Sequence, residues 1–394
     1  MPIIRIPWIR KFETQYHEVT IPENAGEEDL EAVSPENKGD NDKAVATEDT
    51  GGKTESENAD DEDLAIIDTT QVENESDTDD KKVSQDEEPS ESGVSQRGRV
   101  LSRMINYISN ESKLGESLKT GELRKRMTEP AWNVPAPFNM THFDMGDFSM
   151  KLLSAKENPD VEHVILQLHG GGYMGAIRNA YYVFAGLYNE ISHGMSVLSP
   201  DYRVAPENPY PAALNDAISS YKWLMERGYK PENIVLAGDS AGGGLSLALC
   251  MYLRDHDMPT PGGIIAMSPW TDLTASGPSY DFNYDKDPLY GGSRESLIYI
   301  NAYPGDNDKK DPYISPAFGK FDGFPPMLIQ VGSHEMLLSD SETVAAKARE
   351  AGVKVRLTVY EGMFHDFQMA YTAIPESKKA WAEAGRFLDI LYSN

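Results

Sequence analysis

Five residues, Gly238-Asp239-Ser240-Ala241-Gly242, fit the pattern G-x-S-x-G and lie between an apolar run, Asn233–Ala237, and a helical pattern, Ala241–Arg254. That context is what makes so short a pattern informative. A strand-to-helix turn tight enough to expose a serine forces strained backbone angles and crowds its neighbours. Gly238 and Gly242 remove the side chains that would clash. Ser240 then stands at the amino end of a helix, where amide N–H groups and the helix dipole favour developing negative charge. The chemistry implied is nucleophilic attack on a carbonyl. Upstream, His169-Gly170-Gly171-Gly172 ends another apolar run, His163–Leu168. Three glycines let backbone N–H groups approach a ligand oxygen closely. A phosphate cradle would need a following Gly-Lys-Ser/Thr, and none is present. Paired with a nucleophile elbow, the segment reads as the other half of an oxyanion hole.

A serine nucleophile needs a base, and the base needs an orienting acid. Of eight histidines, His17 precedes an acidic stretch, His169 belongs to the glycine segment, and His334 sits beside a candidate acid as an unneeded neighbour. His142, His163, His193 and His256 fall before or within elements that do not end at the carboxyl edge of a sheet. His365, in Glu361-Gly362-Met363-Phe364-His365, follows the apolar run Val353–Tyr360 and reaches that edge, where ligands bind in open α/β folds. For the acid, two carboxylates compete after the run Met327–Val331. Ser339-Asp340-Ser341-Glu342 matches an S-x-x-E capping box, which would give Asp340 a structural place in the first turn of a helix. Glu335 lies nearer the strand end and is the better placed partner for His365, with Asp340 as the alternative.

These positions require a particular scaffold. Thr141–Phe143 and Phe148–Ser154 read as strands around a Gly146-Asp147 turn. Apolar strand-like runs at His163–Leu168, Met195–Ser199, Asn233–Ala237, Gly263–Met267, Met327–Val331 and Val353–Tyr360 then alternate with helical patterns. The helices are expected at Asn179–Ser192, Ala212–Arg227 (opened by Pro211), Ala241–Arg254, Asp340–Ala351 and Ser377–Leu391. This rhythm predicts an α/β fold: a mainly parallel sheet with helices on both faces. Ahead of it, Val100, Leu101, Met104, Ile105 and Ile108 are spaced as on a helix, and Leu114–Met127 is a second helical candidate.

Taken together, these segments resemble the hormone-sensitive-lipase-like branch of the α/β-hydrolase esterases. The likeness runs from about Asn133 to the carboxyl terminus. It rests on His169–Gly172 with Tyr173, the run Asp201-Tyr202-Arg203-Val204-Ala205-Pro206-Glu207-Asn208-Pro209, Gly238–Gly243, Ser268-Pro269-Trp270-Thr271-Asp272, and Gly362 to Gln368. The resemblance implies an α/β-hydrolase fold and an ester hydrolase, with Ser240 as nucleophile, His365 as base and Glu335 as acid. It implies the amides of Gly171, Gly172 and Ala241 as oxyanion donors, and a small-molecule ester substrate of short to medium acyl chain. It implies no metal and no organic cofactor. It also implies a helical cap, here built from about residues 96–133 and 275–325. Asp more often fills the acid position, so Glu335 is a departure. The family includes plant receptors that have lost the catalytic histidine; a candidate at all three positions argues against that reading here. An amidase or acyltransferase would share the same acyl-enzyme chemistry.

Charge separates the chain into two parts. The 394 residues carry a formal net charge of −28. Glu18 to Ser92 holds 27 acidic and five basic residues, a local net of −22. With few aromatics and little apolar periodicity, this stretch is expected to be disordered, so residues 1–95 form an extension and 96–394 the hydrolase domain. Leu64–Ile67 is a lone apolar patch within it. The excess acid excludes a nucleic-acid-binding role, which needs a basic face. Met1–Phe12, mixing Ile3, Ile4, Ile6, Trp8 and Ile9 with Arg5 and Arg10, is a candidate membrane-surface contact that Pro2 and Pro7 weaken as a helix. Cys250 is the only cysteine, which excludes an intramolecular disulfide framework. With no signal-peptide pattern and no spanning run, a cytoplasmic location is expected.

Overall fold

The computed structural model describes residues 94–111 and 129–392. The acidic stretch, Met1–Phe12, Leu64–Ile67 and the helix expected over Leu114–Met127 all lie outside the described residues. The first described element is helix α1 (Gln96–Glu111). An eight-stranded sheet follows, made of β1 (Phe138–Asp144), β2 (Ser149–Ala155), β3 (Asp160–Leu168), β4 (Met195–Asp201), β5 (Ile234–Asp239), β6 (Gly263–Met267), β7 (Met327–Gly332) and β8 (Val355–Tyr360). The helices between and after them are α2 (Asn179–Ile191), α3 (Ala212–Glu226), α4 (Ser240–Asp255), α5 (Leu338–Glu350) and α6 (Pro375–Tyr392).

The strand order is β1-β2-β4-β3-β5-β6-β7-β8. β1 and β2 form an antiparallel hairpin, β2 pairs antiparallel with β4, and every pairing from β4 to β8 is parallel. This is the mainly parallel sheet that the sequence rhythm predicts, in the α/β-hydrolase form that the resemblance implies. The central strands β4, β5, β6 and β7 are buried along nearly their whole length, so they read as mainly apolar runs, whereas β8 at the edge is only partly covered. In β3, Val164, Leu166 and Leu168 join the core with Leu214 and Ala217 of α3, Leu245 of α4 and Val344 of α5. The intervening Gln167 points to the opposite face, where its amide donates to the Tyr181 carbonyl of α2. Gln330 of β7 does the same toward the Ala380 carbonyl of α6.

Two local expectations need correction. The Ser339–Glu342 capping box does not form. α5 begins at Leu338, with Leu337 as an uncapped N-cap residue, and the Ser339 amide donates to Ser279 Oγ from the long insertion after β6. A tertiary partner thus satisfies the helix terminus that the local motif would have served. The folded unit also begins before residue 96. Val94 is buried against Gly362, and Ser95 donates from both its amide and its hydroxyl to the Glu376 carboxylate of α6. The insertion 275–325 is mostly turns, its one α-helix being the single turn Ser279–Phe282.

Candidate active site

Adjacency in the sheet assembles the site. β3 pairs with β5, so the His169–Gly172 loop leaves the sheet beside the turn that carries Ser240. β6, β7 and β8 follow in order, so Ser268, Glu335 and His365 project from successive carboxyl ends.

Ser240 has φ +50, a left-handed conformation that few non-glycine residues adopt. The elbow survives because its neighbours lack Cβ atoms. A Cβ on Gly242 would lie 2.0 Å from the Leu168 carbonyl oxygen, and one on Gly238 would lie 2.3 Å from the Gly242 carbonyl oxygen. The Trp270 amide, donating to the Ser240 carbonyl at 2.9 Å, braces the turn from the β6 side.

Ser240 Oγ lies 2.9 Å from His365 Nε2, and His365 Nδ1 lies 3.1 Å from Glu335 Oε2. The side chains of His365 and Glu335 are both fully buried. Glu335 Oε1 accepts from the Gly332 amide at 2.5 Å and from Ser268 Oγ at 2.8 Å. Burial raises the Glu335 carboxyl above the usual range, against the lowering exerted by His365 and these two donors. Asp340, the competing carboxylate, is turned away. It lies in the first turn of α5, accepts from the Thr271 and Asp272 amides at 2.7 Å each, and is pushed by burial up to about 8. It fastens the loop after β6 and makes no contact with His365.

Gly171 and Gly172, in the loop beside the Ser240 turn, both have positive φ, +107 and +63, a backbone form that favours glycine. Among the described residues neither amide donates to a backbone carbonyl. Ala241 is the second residue of α4, where amides have no intrahelical acceptor. The loop is held to the elbow by Asp239, whose carboxylate accepts from the Gly170 amide at 3.2 Å and from the Tyr181 hydroxyl at 2.8 Å. His169 is fully buried, stacked on Tyr202, and its Nδ1 lies 2.7 Å from the Gly170 carbonyl. Burial lowers this imidazole to about 4, so it stays neutral and structural. His334 is half-buried beside Glu335, and its amide donates to the Met363 carbonyl.

Several neighbours were invisible to sequence reasoning. Ser268 donates to Glu335 and steadies it. The Tyr290 ring lies 4.9 Å from the His365 ring, bringing the 275–325 insertion against that histidine. From the same insertion, Asn301 donates to the Gly172 carbonyl at 2.8 Å, and Leu297 fills the space a Gly172 side chain would need. Asp366 places Oδ2 3.2 Å from His365 Nε2. Its adjacency to His365 in the chain was the one available signal. Tyr173, Tyr181, Tyr182 and Trp270, aromatic residues in or next to the motif segments, are core residues of 5% exposure or less.

A family profile for the alpha/beta hydrolase fold matches residues 165–369. The chain is 36% identical over 233 residues to an esterase of Acinetobacter venetianus, covering 59% of this chain and 76% of that protein. It is 36% identical over 225 residues to an acetyl-hydrolase of Streptomyces hygroscopicus, covering 57% and 74%. Among solved structures it is similar to an esterase from the bacterial hormone-sensitive lipase family, with 30% identity, a TM-score of 0.62, and coverage of 71% of this chain and 99% of that one.

Proposed function

From the premise that this chain belongs to the hormone-sensitive-lipase-like branch of the α/β-hydrolase fold family and is a carboxylic ester hydrolase, we propose that Ser240, His365 and Glu335 perform the reaction through an acyl-enzyme. The observation that carries this reading is the continuous chain from Ser240 Oγ through both nitrogens of His365 to Glu335. His365 Nε2 takes the Ser240 proton as Oγ attacks the ester carbonyl. The carbonyl oxygen becomes an oxyanion, received by the amides of Gly171, Gly172 and Ala241. His365 then protonates the departing alcohol, and water repeats the sequence to release the acid.

The acyl group is small to medium in this reading. The Streptomyces relative named an acetyl-hydrolase supports it, as does the insertion, which brings Tyr290 and Leu297 close over the triad and the glycine loop. The hydrolase domain is residues 94–394, with residues 1–93 an acidic extension.

A fluorophosphonate probe tests the assignment. It should attach to Ser240, located by peptide mass spectrometry, and Ser240→Ala should neither label nor turn over p-nitrophenyl acetate. Full turnover by Ser240→Ala would overturn the reading. A receptor on the same fold would leave the serine unlabelled.

A further inference from the structure

His365 Nε2 faces two oxygens. Ser240 Oγ is at 2.9 Å and Asp366 Oδ2 at 3.2 Å. In the form that acts as a base, Nδ1 carries a proton toward Glu335 and Nε2 presents a lone pair to the serine hydroxyl. A carboxylate oxygen in hydrogen-bond range of that lone pair sets acceptor against acceptor, which is repulsive. The contact is favourable only when a proton lies between the two atoms. Asp366 has no other cation against it among the described residues, and its Oδ1 is buried without a hydrogen bond. A largely desolvated carboxylate of this kind needs a counter-charge, and the imidazolium of His365 is the group in place.

The backbone builds this contact deliberately. Asp366 has φ +55 and its amide donates to Ser268 Oγ at 3.3 Å, which turns the side chain back over the residue preceding it. Glu335 faces His365 from the loop after β7, Asp239 from the end of β5, and the Tyr290 ring from the insertion. A tyrosine is neutral where a histidine titrates, and burial with the nearby Asp366 holds the Asp239 carboxyl well above the usual range, so the carboxylates in contact with the ring are Glu335 and Asp366.

We propose that Asp366 is a positioning residue that holds a proton on His365 Nε2 in the resting site, so that the enzyme gains its general base only at a pH above that of an ordinary histidine triad. This rests on the catalytic reading of Ser240, His365 and Glu335. Burial alone would lower the imidazole; the contacts with Asp366 and Glu335 outweigh it and hold it above the usual histidine value. As pH rises, the Nε2 proton leaves to solvent and the freed lone pair accepts the Ser240 hydroxyl. The acid limb of kcat/KM therefore lies on the alkaline side.

Nitrogen NMR on the full-length, 15N-histidine-labelled protein reads this without turnover, the His365 signals being assigned by their loss in His365→Asn. At about pH 7, where a free imidazole is mostly neutral, both His365 nitrogens should carry protons. A neutral His365 there overturns the proposal, whatever any variant does. Asn tolerates the left-handed backbone of Asp366, so Asp366→Asn should fold. Its acid limb should move down by one pH unit or more, an increase of about tenfold in kcat/KM below both midpoints. An unmoved limb, with or without an equal loss at all pH values, overturns it. Ser240→Ala abolishes turnover but leaves the nitrogen titration in place, so failure of the nucleophile assignment and failure of this proposal are distinguishable.

Discussion

Replacing Glu335 with Gln should disable the enzyme by reversing a hydrogen-bond direction, and the surrounding donors fix which way. Oε1 receives the Gly332 amide at 2.5 Å and the Ser268 hydroxyl at 2.8 Å. A Gln side chain keeps both bonds only by placing its carbonyl oxygen there. Its NH2 group then occupies the Oε2 position, 3.1 Å from His365 Nδ1. Two N–H donors cannot face one another, so Nδ1 becomes the acceptor and the proton moves to Nε2. Nε2 then has no lone pair for Ser240, and the imidazolium formed during attack loses its buried counter-charge. The same inversion in a serine-protease triad costs about ten-thousand-fold in kcat, which is about 5.5 kcal/mol of barrier. A loss of that order is expected here, with KM changed far less, because the ester touches none of these atoms before attack. The assay is steady-state hydrolysis of p-nitrophenyl acetate on the pH plateau, alongside circular dichroism to verify the fold. A folded Glu335→Gln enzyme retaining more than about a tenth of wild-type kcat would refute the argument.

Three other outcomes follow from the same geometry. Asp340→Asn keeps an oxygen for the Thr271 and Asp272 amides, so kcat should stay within about threefold of wild type. Because Asp340 is raised from 3.8 to about 8, the folded state binds the extra proton across that window and wild-type stability should fall as pH rises through it; urea midpoints against pH should show a flatter slope in Asp340→Asn. Gly242→Ala drives a Cβ to 2.0 Å from the Leu168 carbonyl and 2.6 Å from that of His169, neither of which can yield. A loss of about 3 kcal/mol is expected in denaturant unfolding, together with most of the activity, and a stable, active Gly242→Ala protein would contradict the described elbow. A chain starting at Val94 should retain the kcat/KM of the whole protein on an acyl-chain-length series, whereas one starting at Gln96 loses the Ser95–Glu376 bonds and should melt at a lower temperature; equal melting would mean the amino-terminal anchor contributes nothing.

The sheet was legible because its central strands are buried on both faces and read as short, mainly apolar runs. Ser240 and the glycine loop were legible because their spacing answers a steric demand that few residue types meet. The carboxylate beside His365 was legible only in part. Distance from the end of β7 favoured Glu335, but Asp340 looked structural for the wrong reason. Its capping box does not exist, and its actual task is to hold two amides 68 and 69 positions away in the chain. No local pattern encodes such a contact. The same holds for Tyr290, Asn301 and Leu297. They come from an insertion composed mostly of turns, with no periodicity to read, and the rest of the fold determines where it lies. Asp366 was hidden by its backbone. Adjacent residues in an extended segment point apart, and only φ +55 brings its carboxylate onto its neighbour's ring.

The charge that bears on catalysis is therefore not the one that dominates the composition. The −22 between Glu18 and Ser92 sets the net charge of the chain, whereas the groups that act on His365 are the ones in contact with it. Around His365 the relevant acids are Glu335 and Asp366, both substantially buried, where screening is weak. Their combined field favours the imidazolium in both the resting and the transition state. Stabilisation common to both states raises the pH at which the base becomes available without lowering the barrier; only the part that strengthens during attack accelerates the reaction. Glu335 holds Nδ1 throughout, so it fixes orientation as well as charge. Asp366 shares Nε2 with the reacting oxygen, so its pull competes directly with transfer of that proton to the leaving alcohol. On the proposed reading, the two carboxylates flanking one imidazole have opposed effects: Glu335 would order the base for attack, and Asp366 would set how readily the proton is given away.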